Sequence, residues 1–547
     1  MLRSSLALSF LALLCTARAE VAVLTQHNDL ARTGANLNET LLNTSNVNAQ
    51  QFGLLFQRAV DDQLYSQPLL MSNVDLGTKG KHNLVLLATV NDSVYAFDAD
   101  DPSVTSPYWQ LSFLGPDVVA PRNDDMTGAC GGDYSDFSGK LGIVSTPVIE
   151  PVSGTLYLVA RTKEHGTNYV QRLHALDLRT GAERPNSPVI ITATCPGHGH
   201  GHANGVLTFD PQRQNPRAGL ALVNGIVYIG WASHCDWGPY HGWLLGYDAK
   251  TLQQAVVYNT TPDGANGGIW MSGQAPAADS EGNLYLGVGN GTVGTRANPG
   301  DPINRGESLL KLTRRGASLQ LVGWFTPFNW QDLENTDNDF GNSGTLLIPG
   351  TSLAFSGSKE GKVYLVNRDH MGGLSLSNTD TNIVQSIQVS PPGSSSGLFG
   401  APVWWDGPEA SCAYLWCKHD FLRQYKYDPA AGRFILPEFA RGPAAARASM
   451  PGGILSISAD GKRAGTGILW ATHAVGCDGN HNVCPGILRA YNAQNVSTEL
   501  WNSDQVKTRD AVGNFAKFVP PTVANGKVYL ATFSNRLNIY GLLPGRH

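Results

Sequence analysis

Charge is scarce in this chain. Lys, Arg, Asp and Glu make up 15% of its 547 residues and leave a net charge of only −5. No basic stripe interleaved with aromatics occurs, so a nucleic-acid partner is not expected. Beyond the first residues no apolar run is long enough to cross a bilayer as a helix, so no membrane span is expected. Neither a heptad nor a 3.6-residue periodicity recurs, which excludes helical bundles and coiled coils. A Cys-x-x-Cys-His stretch is also missing, so covalently attached haem is excluded. What the chain has instead is 61 glycines and 31 prolines, the composition of many short strands joined by turns.

The N-terminus fixes the expected compartment. Arg3 precedes an apolar run from Leu6 to Leu14, followed by Ala17-Arg18-Ala19. A basic start, a short apolar core and a small-x-small end form a secretory signal peptide. Residues 1–19 are therefore set aside as a leader, 20–50 read as an N-terminal arm, and 51–547 as one domain. The protein is expected to be secreted, either extracellular or periplasmic. Of eight cysteines, Cys15 lies in the leader, and the remaining odd number leaves at least one thiol outside a disulfide. Cys412 with Cys417 and Cys477 with Cys484 are close enough to staple local loops. Cys195 with Cys235 is a candidate long-range bridge, which would leave Cys130 over; spacing alone does not fix the pairing. Asn38, Asn43, Asn91, Asn259, Asn290 and Asn495 stand in glycosylation sequons, which matter in a eukaryotic host.

A two-strand phrase repeats along the mature chain. An apolar strand, a polar turn and a second strand closing on an aromatic and an Asp or Asn run through LVLLATVNDSVYAFDAD, ending at Asp100. The phrase returns around Asp177, Asp248, Lys311, Asn367, Asp428, Asn492 and Tyr540. Alternating β-branched and aromatic strands bounded by Gly, Asn and Asp turns are hairpins. Each hairpin follows a further strand carrying Pro or Gly, such as SQPLL, STPVI, GAPVW or VPPTV. About four strands per unit and eight units cannot bury both sheet faces singly, but they do so when packed radially. The expected fold is all-β: an eight-bladed β-propeller of four-stranded antiparallel blades.

ALDLRTG at Ala175–Gly181 fits the A-x-D-x-x-T-G core of a blade-docking motif, with looser copies at Ala96–Trp109 and Gly246–Thr251. On these motifs the mature chain resembles the pyrroloquinoline-quinone-like propellers of the quinoprotein alcohol dehydrogenase type. Four local matches follow that family's chain order. Ser233-His234-Cys235-Asp236-Trp237-Gly238 resembles its S-G-A-E-F-G stretch, and Gly289-Asn290-Gly291-Thr292 its G-N-G-S stretch. The resemblance implies Asp236 and Asn290 as calcium ligands. Asn338-Asp339-Phe340 resembles the W-D-F stretch, which implies Asp339 as catalytic base. Ser358-Lys359-Glu360-Gly361 resembles the turn whose basic residue contacts the quinone, implying Lys359 as a cofactor contact. Trp270 stands a few residues out of register with the family's ring-stacking tryptophan. The family's adjacent cysteine pair is represented by Cys130 alone, and Glu-to-Asp and Trp-to-Asn changes alter two of the motifs.

These residue types suit one chemistry. A hard cation takes carboxylate and amide oxygens and polarises a quinone carbonyl as a Lewis acid. A carboxylate beside it can accept a hydroxyl proton, and an ammonium group stabilises negative charge on the reduced ring. The resemblance thus implies a dehydrogenase of alcohols or sugars that uses pyrroloquinoline quinone and calcium and hands electrons to a separate acceptor. Two other readings compete. One is a non-catalytic propeller that binds glycan or protein partners through its loops. The other is a glycan lyase or hydrolase using His234, His473 and Asp339. The tract His198-Gly199-His200-Gly201-His202 is read as a connector loop rather than a metal site, because its glycines supply no fixed geometry.

Overall fold

The structure, a computed structural model, describes residues 20–136, 138–391, 396–447 and 450–545. The leader expected over 1–19 lies outside the described residues. Eight small sheets follow one another as blades. Their innermost strands begin at Leu69, Val148, Ala221, Ala277, Leu346, Val403, Ile454 and Thr522, which number blades 1 to 8. These are the Pro- and Gly-bearing strands, and each repeated phrase forms the second and third strands of its blade. In blade 1, Lys81–Ala88 pairs antiparallel with Ser93–Asp98 in this way. The ring is closed by both chain ends, because Phe52–Ala59 pairs with Arg536–Leu542 in the sheet of blade 8.

The docking motif explains how one blade grips the next. In ALDLRTG the backbone carbonyl of Asp177 accepts from Gly181 N at 2.8 Å, and its carboxylate accepts from Arg179 N at 2.7 Å. Gly181 is thereby held at φ 73°, and a Cβ there would meet the ring of Trp109 at 2.5 Å. Only glycine satisfies both demands. Trp109, from blade 1, donates to Leu178 O of blade 2 at 2.8 Å and is buried. An aromatic buried with its N–H satisfied stabilises such a contact by about 2–3 kcal/mol.

Residues 23–36 run inside the ring. The first strand of each blade turns a free edge to the channel, and the arm uses these edges in succession. Its carbonyls at Val23, Leu24, Leu30, Ala31, Thr33 and Gly34 accept from Leu70, Ile149, Ala278, Leu347, Trp404 and Ile457, all at 2.7–2.9 Å. Six of the eight blades are thus hydrogen-bonded to one segment, which satisfies edge groups that would otherwise lie open. The arm enters beside Asn525 and leaves beside Asp460, both in turns that follow innermost strands.

Two disulfides form among the described residues, Cys130–Cys235 and Cys477–Cys484. The Cys477–Cys484 staple agrees with its spacing, whereas Cys235 pairs with Cys130 and not with Cys195. Cys195 lies on a separate outer hairpin, Thr194–Pro196 with Val206–Thr208. Cys412 and Cys417 remain thiols. Their separation of five residues sends them to opposite faces of blade 6, where Cys412 packs toward blade 7 and Cys417 toward blade 5. Of the sequons, Asn38 and Asn495 are exposed, whereas Asn259 and Asn290 are buried and closed to a glycan in the folded chain.

Candidate active site at one mouth of the channel

The loops entering the innermost strands and the turns between second and third strands share one face of the ring. There they enclose a pocket of about 190 Å³. Asp236, Trp270, Asp337 and Lys359 line it, together with Tyr134, Asp136, Arg217, Asn480 and His481. Asn290 and Asp339 join it through hydrogen bonds and an ion pair. All five residues singled out by sequence therefore converge.

Local structure explains how. Asp339 begins the loop into blade 5, and Lys359 sits in that blade's second-to-third-strand turn. An isolated antiparallel bridge between Phe340 and Ser358 ties the two segments together, and Lys359 N donates to Asp339 O at 3.1 Å. The side chains then meet, with Lys359 Nζ 2.5 Å from Asp339 Oδ1 and 2.7 Å from Asp337 Oδ1. Asp337 caps the helix Trp330–Thr336 in the left-handed region, at φ 53°. Its Oδ1 also accepts from Asn290 Nδ2 at 3.0 Å. Gly289 makes the approach possible: a Cβ there would lie 2.6 Å from Asp339 Oδ2 and 2.8 Å from the Trp270 ring. Asp236 stands in the blade 3 turn, where Cys235 and Asp236 both have positive φ, and it accepts a hydrogen bond from the Tyr240 hydroxyl.

The electrostatics set the two carboxylates of the D-N-D stretch apart. Asp339 is 2% exposed, and burial pushes its carboxyl up to about 7 against the pull of Lys359, with Asp337 and Asp236 adding to the rise. Asp337 opens to solvent and is held below the usual carboxylate range, because Lys359 and Asn290 outweigh its desolvation. On Lys359 burial opposes the charge, but the two carboxylates prevail and its pKa is raised. A carboxyl that titrates near neutrality beside a fixed cation is equipped to take and return a proton.

Sequence reasoning missed several members of the site. Glu307 is fully buried, and its Oε2 accepts from Phe340 N at 2.6 Å; burial first, and then Asp339, raise it far above the usual range. Glu334 receives Gly291 N. No sequence signal marks either residue; Asp337 could have been flagged by its place two residues before Asp339. The Cys130–Cys235 disulfide also reaches the site, since Cys235 lines the pocket beside Asp236. The single cysteine counted against the family pattern thus belongs to a bridge spanning 105 residues, which joins the loop bearing Tyr134 and Asp136 to the loop bearing Asp236.

Asn290 Oδ1 and Glu307 Oε1 are buried without a hydrogen-bond partner, and the neighbouring donors are carboxylates, with no thiolate or imidazole among them. Such oxygens fit a hard cation. Among the described residues no three His, Cys, Asp or Glu side chains gather at metal-binding distance, so the neutral amide of Asn290 is needed to complete a set. The two candidate catalytic histidines serve the structure. His234 is buried between Arg161 Nη2 at 3.1 Å and the Tyr134 hydroxyl at 2.9 Å. His473 is held by Ala474 O at 2.9 Å and Arg489 Nε at 3.1 Å, and burial depresses it to about 4.

No family model matches this sequence, and no curated protein matches it significantly. Among solved structures it is similar to the quinohemoprotein alcohol dehydrogenase of Comamonas testosteroni, at a TM-score of 0.58 and 12% identity, covering 95% of this chain and 80% of that one. It is similar at 0.54 and 15% identity to the quinohemoprotein alcohol dehydrogenase ADHIIG of Pseudomonas putida HK5, with the same coverage. A europium-containing methanol dehydrogenase matches at 0.58 and 11% identity, over 95% of this chain and 98% of that one. The chain is therefore an eight-bladed β-propeller with the fold of the quinoprotein dehydrogenases.

Proposed function

We propose that this protein is a secreted dehydrogenase of alcohols or sugars whose pocket holds pyrroloquinoline quinone and calcium. One observation carries the reading: Asp236, Trp270, Asn290, Asp339 and Lys359, drawn from five separate loops, meet at one channel mouth in one pocket and hydrogen-bond network. When bound, the quinone supplies the hydride acceptor and the cation the Lewis acidity. Asp236 and the unpartnered amide oxygen of Asn290 would hold the cation. Trp270 and Lys359, both lining the pocket, would hold the quinone, the lysine supplying positive charge to the reduced ring. Asp339 accepts the substrate hydroxyl proton at Oδ2 while Lys359 keeps Oδ1 in place. The two disulfides support an extracytoplasmic location, and a separate acceptor would take the electrons onward.

Reconstitution with quinone and calcium, followed by dye reduction over a panel of alcohols and sugars, tests the reading. Turnover that Asp339→Asn abolishes supports it. Sugar binding without dye reduction would instead favour a propeller that only binds its partners.

A further inference from the structure

The loop between the second and third strands of blade 7 carries groups that the proposed chemistry leaves unused. Blade 7 stands across the ring from blade 3, and this loop supplies Asn480 and His481 to the pocket wall. Three constraints fix its shape. The Cys477–Cys484 disulfide closes it at its base, Asp478 Oδ1 accepts from Asn480 N at 2.8 Å, and Lys517 holds it from the loop entering blade 8. Lys517 is fully buried. Its ammonium pairs with Asp136 and donates to Asn480 O at 2.6 Å and to Asn480 Oδ1 at 3.1 Å. These contacts settle which protons are left over. An ammonium only donates, so Oδ1 is the Asn480 atom turned to Lys517 and Nδ2 the one turned to His481. Nδ2 lies 2.8 Å from His481 Nε2. An amide nitrogen also only donates, so Nε2 accepts and the neutral imidazole carries its proton on Nδ1. That proton and the second amide proton of Asn480 have no acceptor among the described residues.

From this we infer that Asn480 and His481 form a subsite for the non-reacting hydroxyls of a polyhydroxylated substrate, a sugar or a sugar alcohol. The inference rests on the dehydrogenase reading above for the reaction and narrows its substrate. Two firmly held donors, one from an amide and one from an imidazole, suit neighbouring hydroxyl oxygens. Trp270, in the same pocket, supplies apolar area for the C–H groups of such a molecule. A simple alkanol suits the lining poorly. Its alkyl chain would displace water from Asp236, Asp337 and Lys359 without replacing the lost hydrogen bonds, whereas a polyol replaces them. Asn480 and His481 thus set specificity and take no part in the proton transfer, which belongs to Asp339 and Lys359 on blade 5.

The test compares glucose, sorbitol and glycerol with 1-butanol and cyclohexanol in dye reduction by protein reconstituted with quinone and calcium. The expected kcat/KM is at least about tenfold higher for the best polyol than for either mono-ol. His481→Ala should lower that preference about three- to tenfold, through KM and not kcat. Asn480→Asp keeps an acceptor for Lys517 but removes the donor, and should act in the same direction. Val483→Ala, exposed on the same loop but outside the pocket, should keep the wild-type preference. His481 is itself exposed and its ring bonds only to Asn480 among the described residues, so its truncation reads recognition and not folding. A preference for mono-ols, or an unchanged preference in His481→Ala, overturns the inference. Dye reduction with none of the compounds contradicts the proposed function instead. Calorimetric titration with sorbitol then decides the subsite by itself. Binding that His481→Ala weakens about threefold or more upholds it, and binding that is absent or indifferent to the substitution overturns it.

Discussion

Two arginines point into the same channel and are treated in opposite ways. Arg32, on the arm inside the ring, is fully buried and spends its guanidinium on the protein. It donates to Pro276 O at 2.8 and 3.1 Å, to Gln26 O at 2.7 Å, to Asp29 O at 3.2 Å and to the Thr25 hydroxyl at 2.9 Å. Arg217, at the open mouth, stands beside the rings of Phe518 and Trp270, forms no ion pair among the described residues, and leaves its Nε without a partner. The same chemical group is a structural rivet where the chain fills the channel and an unfilled fork where the channel opens. Saturation of its donors separates the arginine that holds the arm from the one that lines the open pocket.

The contrast can be broken most forcefully at the arm. Arg32→Met strands several buried acceptors at once, and we expect it to cost about 3–5 kcal/mol in denaturant unfolding; a loss below about 1 kcal/mol would mean that the arm is not part of the cooperative unit. Next in size is Asp339→Asn in reconstituted protein. It should lower kcat by about a hundred- to ten-thousandfold while the unfolding midpoint stays put or rises, since the replaced carboxyl is one that burial already disfavours as an anion. Acid should also weaken the fold through two buried histidines, one on the arm and one in blade 7. His27, buried beside Arg32, and His473 are both depressed from 6.5 to about 4. Their neutral forms are favoured by folding, so their contribution is complete above pH 6.5 and lost as pH falls toward 4. Each is expected to remove about 3 kcal/mol over that window, read as a falling Tm between pH 7 and 4. His27→Gln should flatten that slope. The smallest effect belongs to Arg217→Met, which should change unfolding free energy by less than about 1 kcal/mol because few protein contacts depend on it.

Much of this was legible in the sequence, and the reason is local. Hairpin phrases and the ALDLRTG turn are written in contiguous residues, so blade number and strand order could be read directly. The Asp339–Lys359 meeting was also within reach, because both lie in short motifs of one blade, its entry loop and the turn between its second and third strands. What could not be read depended on ring closure. The path of residues 23–36 through the channel leaves no pattern, since its bonds are backbone groups reaching six distant blades. Cys130 and Cys235 are 105 residues apart, and only the closed ring brings them together beside Asp236. Arg217 carries no motif at all. Its surroundings, the rings of Phe518 and Trp270 with no ion pair among the described residues, come from segments far apart in sequence.

Lys359 and Asp236 approach the pocket from different blades, so the central claim, that this mouth holds a quinone, is tested most directly by equilibrium dialysis of pyrroloquinoline quinone against the calcium-loaded protein. The expected result is saturable uptake of one quinone per chain, at least tenfold weaker in both Lys359→Met and Asp236→Ala. No uptake, or uptake indifferent to both substitutions, would contradict it.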